Sequence, residues 1–594
     1  MTAALLLVAG LLAGPTLTPE RSYEARHVAT ALAREGLAEV SPWGALGREL
    51  AFVRVVRFDV FREGELIPPL FNALHWLTVP PVIQRELLLG PGDRYDPAKA
   101  LESARNLRRL DIFQLVAIRP VEDGEGRLGL LVVTRDLWSL RLEQGFQFTG
   151  EQFDYLTLRL TERNLFGRNT QASLVYALTP VTWRLGERYQ DYRALDGKLQ
   201  LAQGLDVIFK RDRDGAGGGY DGVDVSFDVS RPWYHLGQRW GFRFPFRYLD
   251  NHFRQIQAGQ VVGWDDPETP EVEAIPRAWR QRYFTDGIFG RVQLGQDFKH
   301  RLSAGLLFSH LENTPFEETA LPARNAASFR RNVLPRSLTE VAPRLSWSGF
   351  QRNFSKIEDL RSFGVSEDLQ LGPSTYASLA VPLEALGSTY TAVEAEGGLG
   401  WTLTWADEGV LDLLAAAEGR LEDGALINRE LLLRARVATP VLGRVGRFVS
   451  RLDWLARADD TRNRVLSLGG DNGLRGYPSQ AFLVQGADRV RGNLEWRSRP
   501  LVWSFLHLGL VGFYDAGAVY ARAEDFTLRQ AVGVGARILF PQFNREVFRV
   551  DLGVPVDGSG FTLNFSAGSS QAVPLTPEED RIFDSYTGGF ANQP

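Results

Sequence analysis

An alternation of large apolar and charged side chains runs through most of the chain, from about residue 141 to residue 573. In 489-RVRGNLEWR-497, Leu494 and Trp496 fall on one side of the alternation, whereas Glu495 and Arg497 fall on the other. Successive residues of a β-strand point to opposite faces, so each such segment is predicted to be a strand with one apolar and one ionic face. The region therefore predicts a large antiparallel β-structure.

Two β-architectures alternate in this way, a soluble sandwich and a membrane-spanning barrel, and the scale of the pattern separates them. In 239-RWGFRFPFRY-248, the aromatic side chains share one face and arginines occupy the other. No helical layer is predicted over these residues, whereas a water-filled lumen solvates charges and lipid accommodates aromatic side chains. We therefore predict a transmembrane antiparallel β-barrel. At ~27 residues for a strand and its loop, it would hold about sixteen strands.

Composition removes several classes of function. The 594 residues include no cysteine, and the net charge of −5 gives no reason to expect a nucleic-acid partner. The sequence has no G-x-S-x-G, H-E-x-x-H or G-x-x-x-x-G-K-[ST] motif, and its seven histidines are scattered singly. Only His507 is a candidate for a lipase-like or acyltransferase-like site, and a solvated lumen histidine is the alternative. We expect no enzyme activity, no metal site and no cofactor.

The N-terminal region is predicted to contain a signal peptide, a linker and one small domain. Residues 1–18 have the short apolar core of an export signal, with a buried N-terminal helix as the alternative. Residues 19–48 are interpreted as a linker. Residues 49–140 predict an α/β domain of order β-α-α-β-β, in which Asp96 caps a helix over 97–110 and Pro97 begins it.

One long glycine-rich connection, residues 462–488, interrupts the strands and carries the sequence 474-LRGY-477. Strand parity places Glu495 and Asp515 on the lumen side of two neighbouring strands. A guanidinium binds two carboxylates with fixed geometry, which a lysine cannot do. Arg475 of this connection is therefore a candidate partner of both acids.

The N-terminal domain resembles the polypeptide-transport-associated domains that precede barrels of the bacterial surface antigen and outer-membrane protein assembly factor superfamily. The resemblance lies in 86-ELLLGPGDRYDPAKALESARNLRRLDIFQLVAI-118 followed by 131-LVVTRDLWSL-140. It implies one periplasmic domain of this kind in front of the barrel.

The barrel resembles the same superfamily. The segment 474-LRGY-477 is similar to the tip of the family's lumen-folded loop, 513-FYDAG-517 to its wall motif, and 162-ERNLFGRN-169 to its first hairpin. The resemblance implies that the connection 462–488 folds into the lumen and that a lock joins this loop to the barrel wall. Its members would be Leu474, Arg475, Gly476 and Tyr477 of the loop, and Glu495, Phe513, Asp515 and Gly517 of the wall.

The resemblance implies a barrel in the bacterial outer membrane that inserts or translocates client polypeptides without bond chemistry. Its partners would be unfolded or nascent outer-membrane or secreted polypeptides, outer-membrane lipid and lipopolysaccharide, and accessory periplasmic or lipoprotein subunits. Clients would bind within residues 52–138 by adding a strand to a sheet edge. The alternatives are a passive channel, a structural barrel of the same fold and a two-partner-type secretion transporter.

The closing seam departs from the family pattern. The barrel is predicted over residues 141–573, with 561-FTLNFSAGSSQAV-573 as its last strand and a polar tail over 574–594. Val573 stands where the family places a terminal aromatic residue.

Overall fold

The chain folds into a closed barrel of antiparallel strands, preceded by a four-stranded sheet with helices on both faces. Residues 1–18, the predicted signal peptide, and most of the predicted tail lie outside the described residues. The structure, a computed structural model, describes residues 19–61, 69–211, 218–257, 259–272, 274–315, 321–363, 366–406, 408–485, 488–503, 505–558, 563–568 and 571–575.

The N-terminal sheet has the strand order β1-β3-β4-β2, with β2 parallel and β3 antiparallel to the central β4. The predicted helix after Asp96 is confirmed, and the Asp96 side chain accepts a hydrogen bond from the Ala98 N–H at 2.8 Å. No helix in the described part of the chain is both long and apolar enough to cross a membrane. The elements are α1 (Pro19–Glu35), β1 (Ala38–Glu39), α2 (Pro42–Ala45), β2 (Phe52–Phe58), a 3-10 turn (Pro69–Leu74), α3 (Pro80–Gln84), α4 (Pro97–Arg108), β3 (Phe113–Glu122) and β4 (Leu128–Asp136).

Residues 19–48 belong to the folded domain, so their interpretation as a linker is wrong. Helix α1 buries Val28 and Ala31 against the sheet, on the face opposite α3 and α4. Strand β1 extends the sheet by pairing with the end of β3. The apolar face of α1 is weak in the sequence because only Val28, Ala31 and the partly buried Leu32 form it, and its stability comes from packing rather than from its own pattern.

The barrel begins directly after this domain, and its first and last strands pair to close it. In the described part of the chain it has twenty full strands. They are β5 (Leu140–Thr149), β6 (Gln152–Glu162), β7 (Thr170–Leu178), β8 (Thr182–Arg193), β9 (Leu199–Lys210), β10 (Tyr220–Arg231), β11 (Trp240–Arg254), β12 (Ala278–Leu294), β13 (Phe298–Thr314), β14 (Leu338–Gln351), β15 (Ser366–Ala380), β16 (Ala392–Trp405), β17 (Gly409–Glu422), β18 (Ala425–Ala438), β19 (Arg447–Ala458), β20 (Asp488–Arg497), β21 (His507–Tyr520), β22 (Arg529–Leu539), β23 (Phe548–Pro555) and β24 (Asn564–Gly568).

The prediction of about sixteen strands is therefore wrong, because many turns are much shorter than the assumed spacing allowed. Residues 150–151 and 423–424 alone connect their flanking strands. The long connections, among them 255–277 and 459–487, lie at the end of the barrel away from the N-terminal domain. We call that end the far end, and the opening beside the N-terminal domain the domain end.

The two faces of the barrel wall differ as the alternation predicts. On β16, the side chains of Leu399, Trp401 and Leu403 point outward and are 69%, 49% and 44% exposed. The intervening Thr402 points inward, where its hydroxyl donates to Asp412 at 2.9 Å. An apolar outer band with a polar interior is the arrangement of barrels that span a membrane.

The junction between domain and barrel is built from the segment between β2 and α3. The backbone N–H of Val79 donates to the Gly167 carbonyl at 3.0 Å, and the Asn164 side chain donates to Thr78 Oγ1 at 2.9 Å. Thr78 in turn donates both its N–H and its hydroxyl to Asp136 of β4, each at 2.7 Å. This segment, which reads as an apolar insert in the sequence, therefore connects the sheet to the first domain-end turn of the barrel.

Ion pairs fix the domain against other turns of the domain end. Arg108 of α4 donates to both carboxylate oxygens of Asp368 at 2.7 Å, and Glu86 accepts from the guanidinium of Arg193 at 2.6 Å. Paired donors and acceptors of this fork-like kind restrict orientation as well as distance. The domain is thus held on separate parts of the barrel rim.

Glu546 in a domain-end turn gives this junction a pH dependence. Burial raises the pKa of the Glu546 carboxyl to about 7. The nearby Arg141 and Arg163 are already engaged by Asp111, and Arg163 also donates to Glu143 at 2.8 Å. The stabilising contribution of protonated Glu546 should be complete below pH 4.5, its ordinary pKa, and be lost as the pH rises through about 7.

We therefore expect hydrogen exchange at the junction to quicken between pH 5 and pH 8 beyond the intrinsic chemical change in exchange rate. Glu546→Gln imitates the protonated acid, so this variant should lose most of the increase in exchange rate that exceeds the intrinsic chemical change. Equal excess in the parent and the variant would contradict the assignment to Glu546.

The C-terminal segment leaves the wall and enters the lumen at the domain end. The last strand ends at Gly568, so the prediction that it extends to Val573 is wrong. Instead, Val573 and Leu575 are each 1% exposed and pack against Ile357 and Leu360. These two residues belong to an inward hairpin in which residues 353–358 pair with residues 366–371, the first part of β15.

Candidate functional site

The connection between β19 and β20 folds inward and is anchored first at the far end. Two short strands, Val465–Leu468 and Phe482–Gln485, pair as a hairpin that leads to the tip. The Asn463 side chain donates to the Leu334 carbonyl at 3.1 Å, and the Gln485 side chain donates to the Asn332 carbonyl at 3.1 Å. The tip, residues 469–481, reaches the lumen wall formed by β20 to β23.

Two glycines allow the tip to approach this wall. Gly473 has φ +104°, and a Cβ there would lie 2.0 Å from Cδ of Arg491. A Cβ on Gly476 would lie 2.4 Å from Cβ of Ala531. Larger residues at either position would therefore push the tip away from the strands.

Arg475 is the centre of the site and is 3% exposed. Its Nε and Nη2 atoms donate to Oδ2 and Oδ1 of Asp515 at 2.8 and 2.9 Å, and its Nη1 atom donates to Oε1 of Glu495 at 2.6 Å. Its backbone N–H also donates to Asp515 Oδ2 at 3.1 Å. The Arg475 Cζ atom lies 3.7 Å from the centroid of the Phe513 ring, within the range of a cation–π contact.

The other predicted members lie around this arginine. Leu474 is fully buried in a small apolar cluster with Tyr477, and the Tyr477 hydroxyl donates to the Gln530 carbonyl at 3.3 Å. Gly517 makes room on the wall, since a Cβ there would lie 2.7 Å from the Val490 carbonyl oxygen. The structure thus brings together all eight residues that the sequence analysis assigned to the lock.

A third acid, Asp551 of β23, completes the site and was missed in the sequence analysis. Its Oδ2 atom lies 3.4 Å from Nη1 of Arg475. Asp551 also accepts from Arg537 Nη1 at 2.6 Å and from Arg549 Nη1 at 3.1 Å. The signal was present in 549-RVDLG-553, where Arg549 and Asp551 have the same strand parity.

Two further arginines tie the lock to the loop and to the lumen wall. Arg549 donates through Nη2 to Asp471, a residue of the loop tip, at 2.5 Å. Arg497 donates through Nε to Oε2 of Glu495 at 2.8 Å. We use the name arginine lock for the set Asp471, Arg475, Glu495, Arg497, Asp515, Arg537, Arg549 and Asp551.

The arginine lock is an electrostatic fastening, with charges matched across buried hydrogen bonds. Burying a carboxylate is expensive unless it is paired, and here each acid accepts from at least one guanidinium. Among the residues described, no group of three or more His, Asp or Glu side chains is arranged to hold a metal ion. The arrangement can hold or release the loop.

Histidine contacts lie elsewhere. His507 faces the lumen, and its Nδ1 atom lies 3.2 Å from the Phe363 carbonyl oxygen of the inward hairpin. At the junction, His75 lies between Ser139 and Asp136, at 3.3 Å from each. Because Ser139 also donates to Glu162 at 3.0 Å, this row of side chains belongs to the contacts between domain and barrel.

No family model matches the chain, and no curated protein matches it. Solved structures with similarity to it include BamA from Haemophilus ducreyi lacking POTRA domains 1–3, at 12% identity and a TM-score of 0.35, with 88% of this chain and 85% of that chain covered. CdiB from Escherichia coli has 12% identity and a TM-score of 0.38, with 96% and 88% covered. CdiB from Acinetobacter baumannii has 10% identity and a TM-score of 0.37, with 88% and 74% covered. The assignment of this chain as a closed twenty-stranded barrel stands on its own strand pairing.

Proposed function

We propose that this chain is a barrel of the bacterial outer membrane that inserts or translocates client polypeptides, with its N-terminal domain in the periplasm. The proposal places the chain in the superfamily that its loop tip and wall motifs resemble. It needs no cofactor and no bond chemistry. The role rests on how the barrel is closed.

The closing seam is the observation that carries the proposal. Strand β24 pairs with β5 through four residues, Asn564–Ala567 against Phe146–Thr149, whereas β5 pairs with β6 through ten. Each ladder pair contributes hydrogen bonds and side-chain contacts, so among the described residues the two ladders of β24, four pairs to β5 and five to β23, are the weakest junctions between full strands. A seam of this kind favours a wall that opens to pair with a client strand.

The contents of the lumen support a gated function over a passive channel. The arginine lock holds the loop tip against β20 to β23, and the inward hairpin with Val573 and Leu575 fills the domain end. A passive channel depends on a continuous water-filled path. Here the loop tip and the inward hairpin both occupy lumen space that such a path would need.

The N-terminal domain offers sheet edges for client capture. Strand β2 is an outer strand of its sheet, paired only with β4 among the described strands, and β1 covers only two residues of β3. An extended client segment can add to such an edge through backbone hydrogen bonds. We place client binding within residues 52–138 on this basis, with accessory subunits as further partners of the same domain.

The outward apolar face supports a membrane location. Leucine and tryptophan side chains on the outside of β16 and other strands are exposed where a soluble barrel would carry polar groups. Outer-membrane lipid and lipopolysaccharide are the partners that such a face fits.

A reversible staple across the seam tests the proposal. Phe148 and Phe565 are paired across the seam, and the chain has no native cysteine. Directly opposed residues of antiparallel strands have Cα atoms about 4.5–5.5 Å apart, which suits a disulfide. In liposomes, oxidised Phe148→Cys/Phe565→Cys should insert a small urea-unfolded outer-membrane barrel no faster than empty liposomes do, and reduction should restore the parent rate.

A matched staple shows whether the seam itself matters. Leu160 and Leu174 are paired across β6 and β7 with outward side chains, so oxidised Leu160→Cys/Leu174→Cys should keep the parent rate. The proposal would be contradicted if the oxidised seam variant inserted the client as fast as the same variant does after its disulfide is reduced. Ion conductance by the parent without accelerated client insertion would favour the passive channel.

A further inference from the structure

The segment Gln571–Leu575 contacts the lumen in the manner of a bound peptide. Arg497 donates through Nη2 to the Val573 carbonyl at 3.0 Å, and Arg537 donates through Nε to the Gln571 side-chain oxygen at 2.9 Å. The Gln571 amide nitrogen donates in turn to the Arg361 carbonyl at 3.2 Å. The segment makes these contacts through one carbonyl and one side-chain amide, outside the strand ladder.

The two apolar side chains of the segment occupy a groove of matching character. Val573 and Leu575 are two residues apart and belong to one buried cluster. The groove is lined by Ile357, Leu360 and Leu369 of the inward hairpin and by Val410, Ala438 and Val449 of the wall. We call this the luminal groove.

An apolar groove is unusual at this position, since the lumen-facing positions of these strands otherwise carry charges. Val410, Ala438 and Val449 are followed or preceded on the same face by Asp412, Arg436 and Arg451. A patch of small apolar side chains in a charged lumen would face water unless a ligand covered it. Such covering stabilises by about 25 cal/mol for each Å² of apolar surface removed from water.

The groove also carries hydrogen-bond capacity that the segment does not use. Arg447 lies on the lumen face beside Val449 and is 3% exposed, yet its Nη1 and Nη2 atoms make no hydrogen bond to the described residues. Asp359, Glu408 and Glu367 attract its charge, yet none of them accepts a hydrogen bond from these two atoms. A peptide carbonyl or carboxylate would supply the missing acceptor.

We propose that the luminal groove is a binding site for peptides with an amide side chain followed by apolar residues two and four positions later. Its own C-terminal segment, Gln571–Leu575, occupies the site in the resting chain and is exchangeable. The groove as a peptide site goes beyond the function proposed above, and only the identification of a client segment as the exchanging ligand rests on that function.

Occupancy of the groove is connected to the arginine lock through shared arginines. Arg497 holds both the Val573 carbonyl and Glu495, and Arg537 holds both Gln571 and Asp551. A peptide that displaces the segment must therefore engage or release two guanidinium groups of the lock. Exchange in the groove should change the protection of the loop tip.

The test uses the full chain in lipid nanodiscs and a fluorescent peptide with the sequence of residues 569–577, SSQAVPLTP. In the parent, a tethered segment competes at an effective concentration in the mM range, so free peptide binds weakly. In Val573→Gly/Leu575→Gly the segment loses its two apolar side chains and gains no acceptor for Arg447, so it should leave the groove. The peptide should then bind at least tenfold more tightly than it binds the parent, and hydrogen exchange of residues 469–481 should change with occupancy.

Two controls keep the result interpretable. Ala572→Gly alters the only position of the segment that is not buried, so this variant should bind the peptide as weakly as the parent. The same peptide with glycine in place of the valine and leucine should bind the double variant at least tenfold more weakly than the original peptide does. Equal binding of the peptide by parent and double variant, or equal binding of the two peptides, would overturn the proposal. Neither outcome bears on the client insertion assay, so failure of the groove and failure of the proposed function are separable.

Discussion

Replacing Arg475 with alanine should destabilise the docked loop by about 3–5 kcal/mol, the cost of removing one partner from a buried ion pair. Asp515 and Glu495 are both 0% exposed and would remain buried without the guanidinium that binds them. Urea unfolding in detergent should show a lower midpoint, and hydrogen exchange over residues 469–481 should approach that of an exposed loop.

Two control variants separate the lock from a general loss of charge. Arg475→Lys keeps the positive charge but loses the two-pronged contact with Asp515, so its effect should be intermediate. Arg499→Ala removes an exposed arginine from a domain-end turn and should behave like the parent. Unchanged unfolding and loop protection in Arg475→Ala would show that the loop is held by its apolar cluster and far-end anchors instead.

Asp551→Ala should have an effect of similar size, about 3–5 kcal/mol, because it leaves buried arginines with too few acids. Asp551 accepts from Arg537 and Arg549 and lies 3.4 Å from Arg475. In this variant Arg549 still binds Asp471, and Arg475 still binds its two other acids. Arg537 loses its main acidic partner, since the Glu495 carboxylate lies 3.6 Å from it. Urea unfolding provides the measurement.

A second substitution at Arg537 tests this explanation. Arg537→Met removes the charge that Asp551→Ala leaves without its main partner, so the double variant should be more stable than Asp551→Ala alone. If the two destabilisations simply add, then Asp551 and Arg537 do not act as a pair. The comparison is internal to the barrel and does not depend on any client.

Strand parity could place the acids of the lock because a strand has one period and one lumen side. Once Leu494 is assigned to the outside, Glu495 must face inward, and the same count holds for Asp515. The number of strands could not be read in this way. Turn length decides it, and two-residue turns such as 423–424 leave little trace in the sequence beside strongly alternating strands.

The packing of segments without a strong pattern could not be predicted either. Helix α1 packs through Val28, Ala31 and Leu32, and the C-terminal segment adds Val573 and Leu575 to its apolar cluster. Both are placed by surfaces far away in the sequence, on β3 and β4 for α1 and on β17 to β19 for the segment. Asp551 is a different case. The strand alternation predicts that its side chain faces the lumen, but only the folded structure shows that it lies close to Arg475.

The order in which the lock's parts occur along the chain has a consequence for biogenesis. Arg475 precedes all three of its acids, which lie on β20, β21 and β23, and the groove's occupant at Gln571–Leu575 comes later still. A barrel in which β23 has not yet joined the wall cannot complete the arginine lock, even if all of its earlier strands are in place. Full docking of Arg475 therefore requires that the carboxyl-terminal quarter of the barrel is in place. A half-assembled barrel differs from a complete one in this single docking event, which quality control can detect.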